Sequence, residues 1–189
     1  MMKDFMNKLS KFLKSVLLLG GVTFLLGCAG PQVTRYAQEK PSLDLAEYFN
    51  GTIDAYGIFT NRSGEVVKRF KVVIDAQWTV QNGKKVGVLD ERFTYSDGTT
   101  QRRVWTLTEV APQRYEGTAD DVIGKAAGTV SGNALNWTYT LALPVDGRIF
   151  HVQFDDWMYL MDNKVMLNRA AMSKFGIYLG EVTLSFYKR

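Results

Sequence analysis

From residue 51 onward, apolar and polar side chains alternate along the chain, and this two-residue period constrains the fold more than any other feature. The clearest run covers residues 66–80, and its apolar face consists of Val66, Phe70, Val72, Ile74, Ala76, Trp78 and Val80. Such alternation is typical of a strand with one buried face and one face in water. Turn-forming residues recur at 61–64, 82–83, 96–98, 131–133, 146–147 and 162–163. The pattern predicts an antiparallel meander of about eight to ten strands.

A sheet of this size with one apolar face must cover that face, either by closing into a barrel or by folding into a sandwich. We expect an all-β fold that closes into an up-and-down antiparallel β-barrel. The alternative is a two-sheet sandwich. The chain lacks the paired cysteines of many exported sandwiches, which favours the barrel.

Turn lengths predict which residues face each other across two successive hairpins. A two-residue turn at 146–147 pairs Trp137 with Asp156, and a two-residue turn at 162–163 pairs Asp156 with Arg169. Charged side chains on an otherwise apolar face are stable only when they are paired and hydrogen-bonded. Either Arg169 holds the carboxylate or phosphate head of an amphiphile whose tail the barrel takes, or the two residues form a closed ion pair that fixes strand register.

A second polar pair follows from a three-residue loop at 96–98, which places Leu89 opposite Trp105 and Glu91 opposite Arg103. The same two interpretations, ligand binding and a structural ion pair, apply to this second pair. The tryptophans could line a pocket or fill the core. The candidate ligand-binding residues are therefore Trp137, Asp156, Arg169, Trp105, Glu91 and Arg103.

Residues 1–27 have the layout of a secretory signal peptide. Four lysines and one aspartate precede an apolar run over residues 16–26. Because about 20 apolar residues are needed to span a bilayer, we favour an exported and cleaved segment over a permanent transmembrane anchor. Residues 25–28, Leu-Leu-Gly-Cys, resemble a lipobox, which predicts cleavage after Gly27 and lipid attachment at Cys28.

Lipidation of Cys28 predicts attachment to a membrane. The alternative, a buried free cysteine, is the usual interpretation of a lone thiol, but the position of Cys28 directly behind a signal peptide argues against it. Two or three acyl chains, palmitate among them, hold a protein far more firmly than a single myristoyl group. With Cys28 modified, the mature chain has no thiol for a disulfide, a nucleophile or a zinc site.

Charge and motifs argue against several other functions. Without the signal peptide the mature chain of 162 residues has 19 basic and 18 acidic residues, so we expect no nucleic-acid partner. The single histidine, His151, is predicted to point outward and cannot build a metal site alone. No nucleophile elbow, phosphate loop or nucleotide-binding glycine motif is recognisable, so we predict no cofactor and no enzymatic activity.

The chain divides into three predicted segments. Residues 1–27 are the signal peptide, residues 28–42 are an acylated flexible tether with two prolines, and residues 43–189 form a single barrel domain. Residues 43–50 are expected to form one or two helical turns or a plug. The mature length suffices for one domain with a sizeable core.

Five runs of sequence are similar to runs found in one protein family: YFNG at 48–51, AYG at 55–57, YEGTADDVIG at 115–124, FDDWMY at 154–159 and NRA at 168–170. They resemble a family of proteobacterial lipoproteins known as domain of unknown function 3833, from residue 28 to the end. The resemblance implies a lipocalin-like (calycin) barrel and an association with genes of membrane-lipid modification. Tyr56 stands where related barrels often begin with a tryptophan motif.

These features predict a monomeric periplasmic lipoprotein on the outer membrane. Ala29 occupies the position at which an aspartate would signal retention at the inner membrane. The first hypothesis is a barrel that binds a fatty acid, a phospholipid or another small hydrophobic molecule. The alternative is a structural or interaction lipoprotein with a filled barrel that docks an envelope protein. An enzyme acting on lipids is a third hypothesis.

Overall fold

The computed structural model describes residues 30–145 and 147–189, and most of this part of the chain is β-strand. Ten strands follow one another in it: β1 (Gly51–Asn61), β2 (Val66–Gln81), β3 (Lys84–Tyr95), β4 (Thr100–Ala111), β5 (Arg114–Thr118), β6 (Ala126–Ser131), β7 (Ala134–Val145), β8 (Arg148–Leu160), β9 (Val165–Lys174) and β10 (Ile177–Lys188). Neighbouring strands pair antiparallel, and β1 pairs with β10, so the sheet closes. The predicted all-β barrel is confirmed. The predicted signal peptide, the predicted cleavage site at Gly27 and the predicted lipid attachment site at Cys28 lie outside the described residues.

Strand β2 shows the alternation on which the fold prediction depends. Phe70, Val72, Ile74 and Ala76 are buried, whereas the residues between them are exposed or half-buried. Val66 and Val80, at the two ends of the predicted face, are exposed. The apolar face of β2 is therefore buried only over its central part.

Most of the predicted hairpin registers are confirmed. Trp137 faces Asp156 across β7 and β8, and Glu91 faces Arg103 across β3 and β4. Gly128 on β6 faces Trp137 on β7. A Cβ added at Gly128 would overlap the indole ring of Trp137, so the small residue provides the space for the large one. Such complementary sizes allow a curved sheet to fill its own interior.

The register between β8 and β9 differs by one residue from the prediction. Leu160 pairs with Met166 rather than Val165, because the connection contains three residues instead of two. The backbone N–H of Met161 donates to the carbonyl of Val165 at 2.9 Å. The Asp162 carboxylate accepts backbone hydrogen bonds inside this loop, one of them from Val165 at 2.7 Å, and so stabilises the longer turn.

This shift shows that the predicted pair of Asp156 with Arg169 is wrong. A slip of one residue moves every side chain of a strand to the other face of the sheet. Arg169 points outward, where its Nη2 lies 2.8 Å from Oε2 of Glu181 and its side chain is 68% exposed. Asn168 takes the inward position instead and contacts Asp156.

One end of the barrel is closed by residues 43–50. Their single helical turn, α1 (Leu45–Tyr48), begins after Asp44, whose carboxylate caps the first backbone N–H groups. The indole Nε1 of Trp78 donates to the carbonyl of Phe49 at 2.7 Å. The buried apolar side chains of this segment are Leu43, Leu45, Tyr48 and Phe49. The expected helical turn and plug are therefore both present.

The segment before this plug also contacts the strands. Residues Val33–Tyr36 form a 3₁₀ helix, and the ring of Tyr36 lies 6.1 Å from that of Trp157 and 5.3 Å from that of Tyr159 on the outer face of β8. Part of the expected flexible tether, residues 28–42, therefore packs on the barrel. Over residues 30–145 and 147–189, no helix has the length and apolar character that crossing a membrane would require.

Candidate ligand-binding cavity

The interior of the barrel contains a cavity of about 190 Å³. Most of its wall is apolar, formed by Leu45, Phe49, Phe59, Phe70, Val72, Ile74, Leu89, Phe93, Trp105, Leu107, Leu135, Trp137, Leu141, Leu143, Phe154, Met158, Ala170, Val182, Leu184 and Phe186. A smaller set of lining residues is polar: Glu91, Tyr95, Gln101, Arg103, Tyr139, Asp156 and Asn168. Apolar walls with a few polar groups are typical of sites that bind small molecules.

Arg103, on β4, is the centre of one polar group. Its Nη2 lies 2.7 Å from Oδ2 of Asp121, and its Nε lies 3.0 Å from each oxygen of the same carboxylate. Its Nη1 is farther, at 3.9 Å, from Oε2 of Glu91. The side chains of Arg103 and Glu91 are each only 14% exposed. The charge of the guanidinium is therefore balanced mainly by Asp121.

Asp121 reaches Arg103 because the loop 119–125 lies beside β7. The backbone N–H of Ala142 donates to the carbonyl of Asp121 at 2.8 Å, and the N–H of Ile123 donates to that of Thr140 at 2.9 Å. β5 has five residues and β6 has six, so the loop fills the space beyond these two short strands. Two backbone hydrogen bonds thus hold the carboxylate partner of Arg103 in position.

Asp156, on β8, is the centre of the second polar group. Its Oδ2 accepts a hydrogen bond of 3.3 Å from the hydroxyl of Tyr139, and its Oδ1 accepts one from the amide of Asn168. The Asn168 amide also donates to the carbonyl of Trp157 at 3.3 Å. Asp156 and Asn168 are both buried. Both donors to Asp156 are neutral, so neither balances the charge of an ionised carboxylate.

Burial disfavours the charged forms of both acids that line the cavity. It raises the pKa of Asp156 to about 7, and the hydrogen bonds that the carboxylate accepts offset only part of this effect. Burial also raises the pKa of Glu91 to about 7; Arg103 lowers that pKa, whereas Asp121 and Asp156 raise it further. Both carboxyl groups therefore change their charge near neutral pH.

Aromatic rings surround these polar groups. The ring of Trp105 makes edge contacts with Trp137, at 5.9 Å between centroids, and with Tyr139, at 5.5 Å. The ring of Tyr139 stacks on that of Phe154 at 4.9 Å. Such pairs are worth about 0.5–1.5 kcal/mol beyond their buried area. They hold the rings beside the Asp156 carboxyl.

The structure brings five of the six candidate residues to the cavity wall: Trp137, Asp156, Trp105, Glu91 and Arg103. Arg169 is on the outer surface, so it cannot hold a ligand head inside the barrel. The sequence-based list omitted Tyr139, Asn168 and Asp121. Tyr139 is two residues from Trp137 on β7, so strand alternation predicts that its side chain points inward. The inward direction of Asn168 depends on the length of the β8–β9 loop, and the position of Asp121 depends on the path of the loop 119–125. Ligand binding by the five residues at the cavity wall stays a prediction.

Metal-binding side chains do not cluster in the described part of the chain. Over residues 30–145 and 147–189, no three His, Cys, Asp or Glu side chains come together as a group that could hold a metal ion. His151 is exposed on β8. The polar groups of the cavity form hydrogen bonds and an ion pair with one another.

The closed sheet of antiparallel strands around an apolar cavity defines the protein as an up-and-down β-barrel with a lipocalin-like fold. The chain belongs to the family described as protein of unknown function (DUF3833), whose family model matches residues 22–188. The resemblance to this family seen in the sequence is therefore confirmed, whereas the proteobacterial origin and the lipid attachment stay predictions. Comparison with curated proteins gave no match.

Two solved structures share this fold at low sequence identity. One is the S-type phycobiliprotein lyase CPES from Guillardia theta, with a TM-score of 0.56, 7% identity, and coverage of 84% of this chain and 98% of the lyase. The other is a protein with unknown function from the DUF3598 family of Nostoc punctiforme, with a TM-score of 0.51, 10% identity, and coverage of 85% of this chain and 53% of that protein. At these identities the likeness shows the fold alone.

Proposed function

We propose that this protein binds a small hydrophobic molecule inside its barrel. The observation that carries the proposal is the interior cavity of about 190 Å³, whose mostly apolar wall also contains a small set of polar side chains. Burial of apolar ligand surface supplies affinity, and a few polar groups orient the ligand. The proposed role is binding without a catalytic step.

The size of the cavity limits the ligand. Sites for drug-sized molecules have volumes of about 300–1,000 Å³. The cavity here is smaller, at about 190 Å³. A fatty acid or phospholipid would therefore place only part of an acyl chain inside, whereas a compact hydrophobic molecule would fit whole.

The same small volume supports a second candidate function. In this alternative the interior is packed for stability, and the outer surface docks an envelope protein. Tyr56, Leu167 and Tyr187 are outward-facing and between 44% and 51% exposed, which is consistent with a contact surface. The two candidates differ in whether the cavity is occupied.

We further propose that the barrel acts at the periplasmic face of the outer membrane, anchored by acyl chains on Cys28. Three sequence features support this proposal: the signal-like segment 1–27, the lipobox-like residues 25–28, and Ala29 at the position where an aspartate would signal retention at the inner membrane. Two or more acyl chains give an effectively permanent anchor. The acyl chains are then the membrane partner of the protein.

The anchor is tested by fractionation of cells. The Cys28→Ser variant should leave the membrane fraction, because it has no thiol to acylate, and the Ala29→Asp variant should move from the outer to the inner membrane fraction. Retention of Cys28→Ser in the outer membrane would contradict the anchor. An unmoved Ala29→Asp variant would remove the argument for the outer membrane.

Ligand binding is tested by native mass spectrometry of the Cys28→Ser chain purified without detergent. We expect a co-purifying small molecule, or uptake of added hexanol with a change in tryptophan fluorescence, because Trp105 and Trp137 line the cavity. A protein that is empty and takes up neither hexanol nor a fluorescent fatty acid would favour the filled-barrel alternative.

A further inference from the structure

Charge inside the barrel is unevenly distributed. The charged and titratable side chains around the polar part of the cavity, over residues 30–145 and 147–189, are Glu91, Tyr95, Arg103, Asp121, Tyr139 and Asp156. Lys68, whose Nζ lies 4.4 Å from the ring centroid of Tyr95, is paired with Asp97 at 2.8 Å. Arg103 is the cation of this group, which contains three carboxyl groups. Asp121 lies within hydrogen-bond distance of Arg103, whereas Glu91 lies 3.9 Å from it and Asp156 accepts its hydrogen bonds from neutral groups. The site therefore has more acid than base.

We propose that the ligand of this cavity carries a protonated amine on a compact apolar body, with the ammonium group held by Glu91 and Asp156. This inference rests on the proposed binding function and specifies the class of ligand. An ammonium group supplies the positive charge that the two carboxyl groups lack. It also interacts favourably with nearby aromatic rings, here Trp105 and Tyr139, because the face of a ring carries partial negative charge.

The geometry disfavours an anionic head group. The Nε and Nη2 groups of Arg103 already donate to Asp121, which leaves mainly Nη1 toward Glu91. A carboxylate or phosphate in the cavity would be repelled by Glu91 and Asp156 without a free guanidinium to compensate. A ligand held by its negative head, as first expected from Arg169, would therefore meet the wrong charge.

Binding of the amine is coupled to proton release. A protonated carboxyl group of Asp156 or Glu91 must lose its proton to water before it can pair with the ammonium, because an ionised acceptor makes the stronger hydrogen bond. Amine affinity should therefore rise from about pH 5.5 to about pH 8. An uncharged ligand of the same size should bind with little dependence on pH over this range.

The test compares three probes with the same six-carbon chain: hexylamine, hexanol and hexanoate. Binding is followed by tryptophan fluorescence and calorimetry at pH 8 on the full chain carrying Cys28→Ser. We expect hexylamine to bind about tenfold more tightly than hexanol, and hexanoate more weakly than both. Hexanol binding as tight as hexylamine binding would overturn the inference and leave the proposed function intact. Failure of all three probes would overturn both.

Variants then locate the ammonium group. Glu91→Gln and Asp156→Asn should each remove most of the preference for hexylamine while hexanol still binds, which also shows that the barrel is folded. The matched control is Asp155→Asn, since Asp155 is the adjacent residue on β8 and bonds Asn136 on the outer face at 2.7 Å. It should leave hexylamine affinity unchanged. A preference for hexylamine that persists in both cavity variants would overturn the assignment.

Discussion

The hydroxyl of Tyr139 donates a hydrogen bond of 3.3 Å to the buried carboxylate of Asp156, from the strand that pairs with it in the barrel wall. This bond links a titratable group to the aromatic lining of the cavity. The Asn168 amide donates to the other oxygen of the carboxylate. Because both partners are neutral, the ionised form of Asp156 is poorly compensated, and its charge state should affect the stability of the protein.

We therefore expect the protein to be less stable at pH 8 than at pH 5. Asp156 has a pKa of about 7 in the folded chain and 3.8 as its ordinary value, so between these limits the folded chain binds more protons than the unfolded chain. Under that condition the free energy of unfolding falls as pH rises. For Asp156 the expected loss is on the order of 2 to 4 kcal/mol, and the raised pKa of Glu91 adds to it; chemical denaturation at the two pH values measures the total.

The Asp156→Asn variant should show a flatter dependence of stability on pH than the wild type, because Glu91 alone then contributes in this range. At pH 8 it should be at least as stable as the wild type, since no buried charge has to form. Asp155→Asn, on the outer face, removes only the weaker of the two effects that raise the pKa of Asp156, so its profile should stay close to that of the wild type. Wild-type stability that rises between pH 5 and pH 8 would contradict the burial of these acids.

Removal of Arg103 should destabilise the protein far more than removal of Arg169. Arg103→Met leaves Asp121 and Glu91 without their cation in a largely buried site, and breaking such a pair costs about 3–5 kcal/mol. Arg169 pairs with Glu181 on the exposed surface, so Arg169→Met should cost less than about 1 kcal/mol. Urea denaturation of the two variants compares these costs. Equal losses would argue against the observed register of β8 and β9.

Gly128→Ala should destabilise the barrel although it adds only one methyl group. That methyl would overlap the indole of Trp137, so the ring must leave its position against β6. Overpacking of this kind costs about 1–3 kcal/mol. The matched control is Ala127→Val, because Ala127 is the adjacent residue on β6 and its side chain is exposed. Thermal unfolding should show a lower Tm for Gly128→Ala alone, and an unchanged Tm would show that Trp137 is free to move.

Leu45→Ala should enlarge the cavity at its closed end. Leu45 is 1% exposed in α1 and contributes to the cavity wall, so its truncation should cost about 2–5 kcal/mol. In return the variant should accept longer probes, and octanol should gain affinity relative to hexanol. The control is Glu47→Ala, on the exposed face of the same turn. Loss of stability without any change in the preferred chain length would place Leu45 outside the binding space.

The sequence was sufficient for the barrel and for most of the cavity wall, because strand alternation and short turns report directly on inward and outward directions. The pairs of Glu91 with Arg103 and of Trp137 with Asp156 follow from turn length alone. The β8–β9 connection is one residue longer than its turn signal suggested, and this single residue moved Arg169 out of the site.

Asp121 shows a second limit of sequence patterns. It belongs to a loop without alternation, so no period gives the direction of its side chain. Its contact with Arg103 depends on backbone hydrogen bonds between the loop and β7, and the turn-forming residues of the sequence do not predict these bonds. Tertiary contacts of this kind become visible only when the path of the chain is known.

Strands β5 and β6 have only five and six residues, whereas the other strands have ten to sixteen, so the barrel wall has a gap beyond these two short strands. The loop 119–125 occupies this gap, where two backbone hydrogen bonds to β7 and the contact of Asp121 with Arg103 hold it in position. A displacement of this loop would therefore take the carboxylate partner of Arg103 away from the barrel interior and change the balance of charge around the cavity.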